Sequence, residues 1–199
     1  MHRRLAVSIS HLGLLLFVAG ALVGIPIRTF AQHATAADST VVVRAALEHQ
    51  VQAMRQKHGF TKRIKFDPRP MYTKWLTHPT FRPESIIVVS APINPRYWKP
   101  ERTPDQMAVI TRGLNVGIGR LEEVVECPQG PRTCRMNDAD VVIVISEPGI
   151  ADGVAKVRLQ LNAIRDEPRQ RLGMSFYEFT LARTVDGWRV TGAALMGGT

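Results

Sequence analysis

Cysteine is scarce in this chain of 199 residues, with only Cys127 and Cys134 present. That count leaves no C-x-x-C redox pair and no cysteine-built zinc site. None lies near the N-terminus, which rules out a lipid anchor attached through cysteine. Histidine is sparse too: beyond residue 36 only His49, His58 and His78 remain. The chain has no G-x-S-x-G, H-E-x-x-H, P-loop or EF-hand pattern. Gly117-Ile-Gly119 lacks the third glycine of a dinucleotide fingerprint, because position 122 is Glu. No internal repeat is present. These absences point away from the common hydrolase, metalloprotease and nucleotide-binding classes and imply neither a cofactor nor a metal.

What is there begins with residues 1–31. Met1-His-Arg-Arg is followed by Leu12 to Ile25 without charge, then by Pro26 and small residues at Ala31, Ala34 and Ala36. A basic head, a short apolar run and a small-residue exit read as an export signal. Cleavage is expected before Gln32, with residue 36 as the alternative end. The destination is periplasmic or extracellular, in an exported protein of bacterial type. Leu5 to Ile27 is also long enough to be retained as a membrane anchor. Ser8, Ser10 and His11 interrupt its first half and favour the cleaved reading.

Residues 38–199 have the length and composition of one domain, at 45% hydrophobic and 22% charged residues over the whole chain. In an oxidising compartment Cys127 and Cys134 read as a disulfide, the Pro and Gly between them supplying the turn. A helix is expected from a cap at Asp38 or Ser39, through Val43, Leu47, Val51 and Met54, to Gly59. Ile64 and Phe66 mark a short strand ending at Asp67-Pro68. Thr103-Pro-Asp-Gln106 is a capping box that opens a second helix, closed by Gly113 or Gly117.

The last 80 residues read as strands. Arg120 to Cys127 is one, and Asp140 to Ser146, nearly all Val and Ile, is another with both faces covered. Asp152-Gly153 is a two-residue hairpin turn. It places Val144 opposite Leu161, Val142 opposite Ala163 and Glu147 opposite Arg158, with a bulge at Pro148 as the expected disturbance. Lys156, Arg158, Gln160 and Asn162 then form the solvent side of a half-exposed strand. Arg165 to Arg171 is polar and reads as a loop. A second turn at Asp186-Gly187 puts Tyr177, Phe179, Leu181, Val185, Trp188, Val190, Ala194 and Met196 on one apolar face. The fold class is therefore α+β: an N-terminal helix and a short second helix on a twisted antiparallel sheet ending in a meander.

A leading helix and a meander whose last strand opens Asp186-Gly-Trp188-Arg-Val190 resemble the cystatin-like and nuclear-transport-factor-two-like group of curved-sheet folds. The resemblance covers mainly residues 136–196. It implies a cone-like pocket, and the group holds enzymes as well as pure binding modules.

Residues 60–103 depart from that group and concentrate the charge. The chain carries +9, and +6 once Arg3, Arg4 and Arg28 are set aside with the signal. This segment alone supplies nine cations against Asp67, Glu84 and Glu101. It also holds seven prolines together with Tyr72, Trp75, Phe81, Tyr97 and Trp98. Glu84 to Ala91 reads as a strand within it. Cations interleaved with rings bind anionic polymers through charge and stacking. The candidate binding residues are Lys74, Trp75, Arg96, Tyr97, Trp98 and Lys99. The expected partners are an anionic cell-envelope polymer, lipid head groups or an acidic protein, and not nucleic acid. A structural role competes with this, since proline stiffens loops and aromatics pin them to a core.

Catalytic signals are thin, so the leading reading is non-enzymatic. The alternative is a small-ligand or enzymatic pocket using Asp67 and His58, with Asp67 held rigid by Pro68-Arg69-Pro70. Glu122, Glu123 and Glu126 offer oxygens, but on a strand Glu123 points away from the other two.

Overall fold

The computed structural model describes residues 35–58, 63–71, 99–128, 133–165 and 171–198. They belong to one compact unit. Helix α1 spans Ala36–His58. Its cap is Thr35 rather than Asp38 or Ser39. The Thr35 carbonyl accepts the Ser39 N–H at 3.1 Å, and its hydroxyl accepts the Asp38 N–H at 3.1 Å. Ala36 and Ala37 carry no side chain that resists helix, so the helix starts a turn earlier and Asp38 becomes its third residue. Val42, Val43, Ala46, Leu47 and Val51 are buried along one stripe. The expected stop at Gly59 lies outside the described residues.

Strand β1 is Ile64–Phe66. Helix α2, Pro104–Thr111, has the capping box, with Thr103 and Gln106 each accepting the other's backbone N–H. Beyond it Gly113 takes a left-handed φ of 72°. Two arginines of α1 then satisfy carbonyls at that end: Arg44 donates to Val109 and Arg112 at 2.9 and 2.8 Å, and Arg55 to Leu114 at 2.7 Å. Strand β2 is Gly117–Ile118.

Residues 120–127, expected as a strand, instead contain the single-turn helix α3, Leu121–Val124, followed by β3, Val125–Glu126. Leu121 and Val124 are buried three apart, a helical interval, and Glu122 and Glu123 suit the positive end of a helix. Strand β4, Arg135–Met136, pairs antiparallel with β3. Cys127 and Cys134 are the next pair outward and form a disulfide, with Cα atoms 4.0 Å apart.

The remaining strands are β5 (Val141–Ile145), β6 (Gly149–Ala151), β7 (Val154–Arg165), β8 (Arg171–Thr184) and β9 (Gly187–Gly198). Among the described residues the main sheet runs β2-β1-β5-β7-β8-β9, with β6 also on β7. It is mixed rather than wholly antiparallel, because β1 lies parallel to both β2 and β5. This is an α+β fold with a C-terminal meander. Val141, Ile143 and Ile145 of β5 meet the helices, with Val157, Leu159, Phe179 and Leu181. Val142 and Val144 meet two smaller clusters on the far face.

Register is where expectation and structure part. Asp152 and Gly153 both have positive φ, and Ala151↔Val154 through Gly149↔Lys156 pair as the turn dictates. Past Pro148 the ladder slips by one, to Val144↔Gln160 and Val142↔Asn162. Proline has no N–H to give the ladder, and the Ser146 side chain fills in by accepting the Arg158 N–H at 3.0 Å. The slip turns Ile143 and Ile145, rather than Val142 and Val144, to the face that carries Leu159 and Leu161. Gln160 and Asn162, expected in solvent, are buried on the far face, where Asn162 donates to the Val142 carbonyl and Gln160 to Asn162.

In the second hairpin Val185 and Asp186 make the turn, and Gly187, at φ 121°, already pairs with Thr184. Irregularities between Thr180 and Leu181 and between Phe176 and Tyr177 shift β9 twice more. Phe179 and Leu181 are core, with Tyr177, Trp188 and Val190 packed against it. Val185, Ala194 and Met196 are instead exposed. Arg165 and Arg171, expected in a loop, end the paired strands, so only residues 166–170 connect them.

Candidate functional site

Of the basic segment 60–103, residues 63–71 and 99–103 are described, and these two stretches meet. Leaving β1, the Asp67 N–H donates to the Ile143 carbonyl at 2.9 Å, and Met71 lies beside Ser146. On the return, the Lys99 N–H donates to Pro70 at 3.2 Å and the Arg102 N–H to Pro68 at 3.1 Å. The prolines that cannot donate thus serve as acceptors. The chain that leaves at Met71 comes back at its side. Lys99 is exposed there. Lys74, Trp75, Arg96, Tyr97, Trp98 and His78, with the expected strand over 84–91, lie outside the described residues.

Asp67 welds this base together. Its side chain has no solvent exposure. Oδ1 accepts from the Arg69 backbone N–H at 2.9 Å and from Arg69 Nε at 3.1 Å. Oδ2 accepts from the Arg69 guanidinium at 2.9 Å and from the Leu121 N–H at 2.8 Å. Arg69 in turn grips both oxygens of Glu122. A fork matched to two carboxylates is geometry that only arginine supplies. Burial works against the Arg69 charge, but the hydrogen bonds and charges of Asp67 and Glu122 outweigh it and raise its pKa. Burial likewise opposes the Glu122 charge, yet its bond from Arg69 and the nearby charges hold its carboxyl below the usual glutamate value.

Arg102 closes the other side. It is 9% exposed, sits 5.5 Å from the Phe66 ring centre and donates to the Ile145 carbonyl at 3.1 Å. Burial pulls its pKa down to about 10, the charges of Glu147 and Asp67 acting the other way. At neutral pH it therefore remains a cation.

The expected catalytic pair is not brought together in what is described. Asp67 is enclosed and its oxygens are taken by four donors, while His58 ends α1 with its side chain outside the described set. His49 sets its ring edge-on to Phe179, at 5.5 Å between centres. Glu122, Glu123 and Glu126 engage different partners: Arg69, Arg120 and Arg135. No cluster of three metal-capable side chains occurs among the described residues. Gly119 has a packing reason, since a Cβ there would come within 2.9 Å of the Lys65 side chain.

Comparison with known proteins found no matching family model, curated protein or solved structure. Sequence reasoning missed that Arg69 ties Asp67 and Glu122 into one ionic knot, and that Arg102 beside it holds the Pro68 and Ile145 carbonyls. Asp67-x-Arg69 was visible as a short-range pair, but the 53 positions separating Arg69 from Glu122 carry no local signal.

Proposed function

We propose that the protein is an exported, non-enzymatic binding or scaffold domain that presents the basic aromatic segment 60–103 to an anionic polymer or an acidic protein. The observation that carries this reading is the closed base of the segment, pinned at Pro68 and Pro70 and locked by Asp67, Arg69, Glu122 and Arg102. A cationic segment fixed at both ends to a rigid body loses less freedom on binding than a free tail. Export rests on the N-terminal pattern and fits the disulfide. No helix of the described residues is long and apolar enough to cross a membrane.

The test is retention on anionic cell-wall polymer and on vesicles containing anionic lipid, measured against ionic strength. Binding is expected to weaken steeply with salt and on replacing Trp98 and Lys99 with alanine. Retention indifferent to salt, or unchanged in that double variant, would refute the proposal.

A further inference from the structure

Among the described residues, every buried polar side chain but one takes part in a hydrogen bond: Thr40, Asp67, Arg102, Ser146, Gln160 and Asn162 all do. Gln50 is the exception. It is 8% exposed, yet its side-chain amide has no hydrogen-bond partner among the described residues. An amide so placed costs stability unless something supplies the missing bonds. Gln50 stands in the middle of the α1 stripe that meets the sheet, between Ala46 and Leu47 one turn before it and Met54 one turn after. Asp38 lies 4.0 Å from Arg183 and the His49 ring meets Phe179, so α1 runs antiparallel to β8. Gln50 is thus level with the place where the sheet loses its cover. On the helix side Val157, Leu159, Phe179 and Leu181 are buried, whereas Leu161, Ala163 and Tyr177 beyond them are half-buried, and Leu195, opposite Tyr177, is 65% exposed. The helix flank changes at the same level: Val42 is fully buried, while Ala53, on the same side of α1 three turns later, is exposed. Helix and sheet therefore part beyond Gln50, leaving an apolar trough with one amide at its inner end.

We infer that this trough binds a small uncharged molecule, apolar over most of its surface, whose single amine, hydroxyl or carbonyl group bonds to the Gln50 amide. The lining selects that chemistry. Ala53, Leu161, Ala163, Tyr177 and Leu195 carry no charge, so an ionic ligand would give up its water and gain no counter-charge. The Gln50 amide offers both a donor and an acceptor, which serves any of those three polar groups. Apolar walls with one placed polar contact are the usual make-up of a small-molecule site. The site uses neither Asp67 nor the basic segment 60–103. It is therefore separate from the anion binding proposed above, and the failure of one leaves the other standing.

Titration of the full chain with N-phenyl-1-naphthylamine, an uncharged fluorophore whose one polar group is an N–H, tests this. Its emission is expected to rise to saturation, equally at low and high salt, because no charge takes part. 1-Benzylnaphthalene, the same shape without the N–H, should compete about fivefold more weakly than the amine itself. In Gln50→Leu, which keeps the volume and removes the unpaired amide, the two compounds should compete alike and the urea midpoint should rise. Ala53→Phe, on the exposed flank of the trough, should abolish binding with unchanged circular dichroism. A wild type that shows no saturable binding overturns the inference, as does one that treats the two compounds alike, a preference that survives Gln50→Leu, or binding untouched by Ala53→Phe.

Discussion

Asp67 shows how little a residue's type says about its work. A carboxylate followed by Pro68-Arg69-Pro70 suggested a rigid reactive group, yet with no exposure and four N–H donors it functions as a joint. Removing one member of a buried ionic network strands the others, at a cost of about 3 to 5 kcal/mol. Arg69→Ala should lower the urea midpoint accordingly, and Arg69→Lys should recover only part, because a point charge cannot fork to two carboxylates. The pH dependence follows from the depressed Glu122 pKa. Its stabilisation is complete above the ordinary glutamate pKa of about 4 and is lost as pH falls through the lower folded value. Glu122→Gln should therefore flatten the acid limb of a stability profile, and an unchanged limb would contradict this role. Thr35→Ala should cost about 1 kcal/mol of thermal stability through loss of the helix cap.

Among the elements, the β3–β4 hairpin owes its closure to the disulfide rather than to its length. Two paired residues on each strand cannot hold a hairpin in water. The chain-entropy model assigns so small a loop about 2 to 3 kcal/mol, so Cys127→Ala with Cys134→Ala should lose that much in denaturant titration. Arg135→Ala, which removes the exposed partner of Glu126, should leave stability unchanged. Helices and turns were legible because their signals are local: the Thr103 box, the Asp152-Gly153 turn and the apolar stripe of α1. The register of β5 against β7 was not legible beyond Pro148, since a bulge of one residue reverses every face after it while leaving the alternation of the sequence intact.

At the scale of the molecule, the helix cap bears on where the N-terminal segment ends. A cut before Gln32 keeps Thr35, whereas a cut after Ala36 removes it together with the start of α1. Under the proposed export, the mature chain is thus expected to begin at Gln32, and its intact mass checks this; a start at Ala37 or later, or a retained segment, would contradict it. The positive surplus of segment 60–103 was fully legible, being a matter of counting. That its ends are joined was not, because the Lys99–Pro70 and Arg102–Pro68 bonds span about thirty residues without any local mark. The amino-acid sequence alone determined the α+β class, the start of α2, the Asp152-Gly153 turn, the disulfide pair and the location of the charge, since each depends on neighbours within one or two turns of chain. Only tertiary structure decided that β1 runs parallel beside β5, that Gln160 and Asn162 are buried, that Asp67 is a joint and that β9 ends the main sheet among the described residues. Those outcomes depend on which distant surfaces meet, and the energy of that meeting is written in no single segment.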